Sequence, residues 1–255
     1  MATKKVTEDT IQIVEMETQT VTFHVLGTTP MICNRMPEKA WQQLLLPSGR
    51  KTAAEKAGSM KHDPLIEYRS SPYRMPQGDH ATELSVLATQ FKGALRNAAL
   101  DMPGAKKSQI GRLTTVENER LELFGVPKIF SSITRSADIN KTPDVRTRAI
   151  VPKWACKVDI TYVRPVLNHT VISNLFATAG ITMGVGDWRP EKGSGNYGRW
   201  KIVDANDPEF LEVIKTGGKA AQLEALENPE AYDDDTEELL SWFNAETKRR
   251  GLKAA

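Results

Sequence analysis

Between Gly184 and Trp200 the sequence GVGDWRPEKGSGNYGRW interleaves Gly184, Gly186, Gly193, Gly195 and Gly198 with three aromatic rings and three cations. Glycines let a backbone take positive φ and approach a partner closely. Successive free N–H groups in such a loop can form a nest for an anion. Arg189, Lys192 and Arg199 add positive charge, and Trp188, Tyr197 and Trp200 offer flat faces on which bases can stack. This mixture suits a nucleic acid better than a nucleotide cofactor. GxxxxGK[ST] is absent, and no GxGxxG follows a strand pattern. The competing reading is a tight connection whose glycines serve turns and whose Trp188 or Trp200 fills the core.

Two further stretches are basic. Residues 92–112 carry Lys92, Arg96, Lys106, Lys107 and Arg112 against the single acid Asp101. Lys92 and Arg96, four apart on a helix, share one face. Such a basic face either meets a polyanion or is an ordinary solvated face. Residues 135–153 carry Arg135, Lys141, Arg146, Arg148 and Lys153 with Asp138 and Asp144. A long polar loop inside a compact domain is functional or disordered, so this segment reads either as a cover over nucleic acid or as a charge-balanced loop. His24, His62, His80 and His169 are isolated in sequence; His62 or His80 would be the general base of a metal-free RNA cleavage. Cys33 and Cys156 form no CxxC, which excludes a zinc ribbon or disulfide scaffold. Neither a metal nor a cofactor is expected.

The elements that must position these residues follow from periodicity. Val21, Phe23 and Val25 alternate in a first strand over 20–26, with His24 on its opposite face. Phe91, Ala94, Leu95, Ala98 and Ala99 recur at helical spacing behind Thr89 as N-cap. Residues 119–130 predict a strand broken at Gly125-Val126-Pro127. Cys156, Val158, Ile160 and Tyr162 alternate in a strand over 156–163, and Val171, Ile172, Leu175, Phe176 and Ala179 form an apolar helical face. A short strand over 199–203 and helices over 208–226 and 234–249 close the chain. The body therefore reads β-α-β-β-α-β, an α+β fold with a modified ferredoxin-like (RRM-like) core. It has an insertion after strand 1, a thumb-like loop between strands 2 and 3 and a C-terminal helical tail. The expected divisions are a tail at 1–16, a core at 17–203 with an insertion at 37–88 and a thumb-like loop at 131–154, and an acidic helical segment at 204–255.

The whole chain of 255 residues is 40% hydrophobic and 26% charged, with a net charge of +2. Its charge is unevenly spread. Residues 204–255 hold 13 acidic and 6 basic side chains, a balance of −7, which leaves 28 basic against 19 acidic, +9, before them. A basic body implies a polyanionic partner, and an acidic segment can cover a basic groove, so that its removal would tighten binding. No window reaches the roughly 18 apolar residues a membrane helix needs, and the N-terminal residues have no apolar signal core. A cytoplasmic protein with reduced thiols and no membrane partner is expected.

A glycine-rich loop between the second helix and the last strand of such a core resembles the signature of the RAMP superfamily, the RNA-binding proteins of CRISPR systems. Phe91-Lys92-Gly93-Ala94-Leu95-Arg96 resembles the motif S-x-K-G-x-x-R that opens the first helix in several of them, with Gln90 in place of the serine. The resemblance is greatest to the backbone subunits that polymerise along a guide RNA, and a phage or mobile-element relative fits equally. It implies that Lys92 and Arg96 lie near the RNA backbone, and that the chain coats single-stranded RNA, or failing that DNA, as a homo-oligomer or filament with other protein subunits. Some relatives cut target RNA with a loop aspartate, which would make Asp138 or Asp144 catalytic in an endoribonuclease that uses a divalent metal; the histidine alternative would need none. The remaining alternative is a structural or adaptor protein of a phage or mobile element.

Overall fold

The computed structural model describes residues 15–36, 41, 44–45, 62–135, 143–192 and 195–252. They form a mixed α+β fold built on two antiparallel sheets. The larger sheet runs in the order β10 (Trp200–Val203), β1 (Glu17–Gly27), β9 (Ala155–Arg164), β6 (Arg120–Phe124), β4 (Leu84–Leu87), β3 (Tyr73–Arg74). A further strand, β5 (Thr114–Val116), pairs with β9 beside β6. The smaller sheet is β2 (Met31–Ile32), β8 (Pro143–Val151), β7 (Lys128–Arg135).

Period-two alternation puts one apolar row of each central strand on the same face. Phe23 lies opposite Val158 and Val25 opposite Cys156, and all four are buried. Against this face pack α2 (Ala88–Ala98), through Phe91, Leu95 and Ala98, and α4 (His169–Thr182), through Ile172, Leu175, Phe176 and Ala179. Phe91, Phe176 and Trp200 meet with ring centroids 5.3–5.9 Å apart. Trp200 is thus a core residue, as the competing reading of the loop allowed. His24 does point to the other face, edge-on to Phe210 at 5.2 Å.

Several expectations change. The segment taken as a thumb-like loop, 131–154, is largely sheet: β7 and β8 pair from Lys128–Ile150 to Arg135–Pro143 as a hairpin. Its alternation escapes notice because serine, threonine and arginine occupy positions where apolar residues would mark a strand. The segment at 37–88 holds α1 (Pro64–Ser70), β3 and β4, and the last two extend the larger sheet; these pieces are too short for a periodic signal. Helix α2 opens at Leu87 with no side-chain cap rather than at Thr89, and α4 is capped by Asn168, which accepts from Val171 N. α3 (Lys107–Leu113) lies between α2 and β5.

The expected helix over 208–226 is two, α5 (Pro208–Thr216) and α6 (Lys219–Glu227), divided at Gly217-Gly218. A Cβ on Gly217 would lie 2.2 Å from Gly125 N, so only glycine lets the two backbones meet. These helices, with α7 (Asp234–Arg250), are woven into the body. Gln222 is 0% exposed; its Oε1 accepts from Glu83 N and Leu84 N, and its Nε2 donates to Leu123 O, Gly125 O and Gly217 O. Phe210 and Val213 cover Leu26 and Ala155. Ser131 N donates to Thr236 Oγ1 of α7. The expectation that removing 204–255 tightens binding therefore gives way, because the removal would expose core. No helix of the described residues is long and apolar enough to cross a membrane.

Candidate functional site

The glycine-rich loop is a tight ribbon held against β2. Val185 N donates to Gly198 O, Asp187 N to Ile32 O, Gly198 N to Pro30 O and Tyr197 N to Trp188 O. Gly186 has φ +81°, and a Cβ there would sit 2.4 Å from Ile32 O; a side chain would push the loop off the strand. Gly186 N donates to Gln90 Oε1 at 2.8 Å, and Gln90 Nε2 donates to Asn34 Oδ1 at 3.1 Å. The residue that replaces the motif serine thus ties α2 to the loop. Because these N–H groups already have protein acceptors, they do not form the open anion nest that the glycine content suggests. Gly184 and Gly195 are buried in the same ribbon, and Gly193 lies outside the described residues.

What the ribbon presents is aromatic. Trp188, at φ +52°, is 41% exposed and stacks on Tyr197 with centroids 6.1 Å apart and planes 20° apart. A bulky residue in the left-handed region costs on the order of 1–3 kcal/mol, which surrounding structure must offset. Tyr197 continues to Phe130, and Phe130 meets Tyr232 edge-on. Burial, and then the nearby Tyr232 and Asp233, push the Tyr197 phenol above its usual range, so its hydroxyl stays protonated at neutral pH.

The β7–β8 hairpin supplies the charge beside these rings. Phe130 lies opposite Arg148 and Ser132 opposite Arg146, and residues directly opposite share a face. That face meets the loop around a cavity of about 100 Å³ lined by Ile32, Ser132, Arg146, Arg148, Asp187 and Trp188 among others. Arg146 is exposed. Arg148 is half-buried, donates through Nη1 to Arg35 O at 3.0 Å, and has Nε 3.8 Å from Asp187 Oδ2.

The other sequence candidates are spread more widely. Arg189 holds the loop itself, donating to Gly186 O and pairing with Glu191, and Glu191 also accepts from Asn97 on α2. Lys192 is exposed on the same loop. Arg199, at the start of β10, is half-buried, and its Nε is buried with no hydrogen-bond partner among the described residues. Lys92, Arg96, Lys106, Lys107 and Arg112 line none of the Trp188 cavity. Gln90 and Asn97, seven apart, turn one face of α2 to the loop, which puts Lys92 about 150° and Arg96 about 110° around the helix from that face at about 100° per residue. Arg96 lies along Gly111 of α3, while Lys106 and Arg112 share a separate shallow groove with Met16 and Val166.

Arg135 ends β7, and Asp138 lies outside the described residues. Asp144 Oδ1 is 2.9 Å from His62 Nε2, and His62 Nδ1 is 2.6 Å from Glu67 Oε1. Both ring nitrogens are thus engaged by carboxylates of the protein itself. That arrangement suits a brace between the α1 segment and the hairpin better than a general base.

Phe130, Ser132, Asp187 and Tyr232 belong to this site and were missed as functional residues. Arg146 and Arg148, two apart, carried the signal: in a strand they share a face. Asp187, directly before Trp188, stood inside the glycine-rich stretch.

No protein-family model and no curated protein matches the sequence. Among solved structures the chain is similar to Cmr6 from Pyrococcus furiosus, at 10% identity and a TM-score of 0.35, over 73% of this chain and 99% of that one. It is also similar to a chain of the type III-B Cmr-beta complex bound to cognate target RNA, at 14% identity and a TM-score of 0.34; it covers 72% of this chain and spans 59% of that chain's length.

Proposed function

We propose that this chain binds single-stranded nucleic acid, RNA ahead of DNA, on a modified ferredoxin-like core, as a subunit of an oligomer or ribonucleoprotein. The observation that carries the reading is the convergence of Trp188, Tyr197 and Phe130 with Arg146 and Arg148 on one surface, from two segments about 40 residues apart. Aromatic faces beside arginines are what unpaired bases and their phosphates require. Arg199, half-buried at the start of β10, is a further cation beside the loop. The ferredoxin-like reading is supported by the order β10-β1-β9-β6 with α2 and α4 on one face. Lys92, Arg96, Lys106, Lys107 and Arg112 form a second basic zone, suited to phosphates further along a strand or to the strand held by a neighbouring copy.

Fluorescence anisotropy with labelled single-stranded RNA, single-stranded DNA and duplex, across a salt series, tests this. Single strands should bind tightest, with log K falling steeply against log salt, and Arg146→Ala and Arg199→Ala should each weaken binding and flatten the slope by about one. No binding at about 50 mM salt, where backbone contacts are strong, would discard the proposal.

A further inference from the structure

A carboxylate on a surface that receives a polyanion is unfavourable unless it accepts from something other than phosphate. Asp187 is such a carboxylate. It shares the cavity with Arg146 and Arg148 and immediately precedes the stacking ring of Trp188. Its Oδ1 accepts from Trp188 N at 3.1 Å, and its Oδ2 is 3.8 Å from Arg148 Nε. The first contact fixes the carboxylate at the backbone of Trp188, and the second is too long to be a hydrogen bond. Each oxygen therefore keeps acceptor capacity. Tyr197 covers one side of the indole, which is still 41% exposed, so a base stacked on it would bring its edge to Asp187.

Among the four RNA bases only guanine offers two adjacent donors on its Watson–Crick edge, N1–H and the N2 amino group. Adenine, cytosine and uracil each offer one donor there, beside an acceptor that a carboxylate repels. Resting on the single-strand reading above, we infer that Asp187 is a specificity-determining residue that selects guanine for the base stacked on Trp188. Sequence preference would then sit at this one position of an interface that otherwise grips the backbone.

The test is anisotropy on the full chain with labelled oligouridine carrying one central guanosine, inosine, adenosine or cytidine. Guanosine should bind tighter than adenosine or cytidine by about 5- to 100-fold, the range expected for a bidentate base contact. Inosine, which lacks the N2 amino group, should fall between them; that comparison needs no variant and so does not depend on folding. Asp187→Asn should bring all four probes to within about twofold of one another, whereas Arg146→Ala should weaken all four by a common factor. Equal affinity for the four probes, together with an Arg146→Ala loss, would overturn the guanine inference and leave the interface standing. So would an Asp187→Asn variant that binds every probe more tightly and keeps the guanosine ratio. No binding, or binding indifferent to Arg146→Ala, would overturn the single-strand reading itself.

Discussion

Gly198 has φ +71°, and a Cβ at this position would lie 1.8 Å from Val185 O. Both the backbone conformation and the close approach exclude a side chain, so Gly198→Ala should lower unfolding free energy by about 3 kcal/mol in urea titrations. Loss of less than about 1 kcal/mol would mean that the ribbon yields easily and does not hold Trp188 rigidly. Trp188 presents the opposite trade. Its own backbone is in the left-handed region, so Trp188→Gly relieves strain while removing the stacking face. Stability should stay level or rise, and single-strand affinity should fall by about 1–3 kcal/mol, the value of one base stack. Affinity unchanged in that variant would remove Trp188 from the interface.

At the scale of elements, α6 is fastened by one side chain. Gln222 joins β4, β6 and the turn after α5 through five hydrogen bonds in a fully buried position. A leucine of similar size would leave two N–H groups and three carbonyls without this partner. Gln222→Leu should cost about 3–5 kcal/mol, measured by urea unfolding; a cost below about 1 kcal/mol would show that water replaces the amide there. Helix α7 has a weaker and pH-dependent end. Hydrogen bonds from Arg249 and Arg250 hold the Glu246 carboxyl down at about 2, from an ordinary 4.5. A depressed carboxylate stabilises the fold above its unfolded pKa and stops doing so as pH falls through the folded one. The last turn of α7 should therefore be unaffected above pH 4.5 and loosen as pH approaches about 2. An NMR titration of the Glu246 side-chain carbon with a midpoint near 4.5 would reject this.

Across the whole molecule, the acidic C-terminal helices and the basic body form one folding unit. Phe210 and Val213 pack on Leu26 and Ala155, and Tyr68 donates to Ala225 O. A chain ending before Asp204 should lose cooperative thermal unfolding by calorimetry; a sharp transition in that truncation would show the helices to be an accessory. The two cysteines report on the same unit. Both are buried, and burial pushes the Cys33 thiol up to about 12 and the Cys156 thiol further still. The thiolate is the reactive form, so alkylation followed by mass spectrometry should find neither modified at neutral pH until denaturant is added.

The alternation of Phe23 and Val25, and that of Cys156, Val158, Ile160 and Tyr162, marked the central strands because buried β-residues repeat at a spacing of two. The helical spacing from Phe91 and from Ile172 marked the two helices that cover them for the equivalent reason. Composition alone likewise picked out Gly184 to Trp200, but it pointed to an open anion nest, whereas the loop's N–H groups are spent on acceptors of the protein itself. The hairpin at 128–151 was not legible, since one face mixes Phe130 and Ile150 with Ser132, Arg146 and Arg148 and the other is completed by Ser131 and Thr147, which bond each other at 2.8 Å. Pairing of that kind depends on a strand elsewhere in the chain and leaves no local period. The same holds for Asp187 beside Arg148, for Gln90 beneath Gly186 and for the separation of Lys92 from Trp188. Local spacing determines which residues share a face; only tertiary packing decides which faces meet.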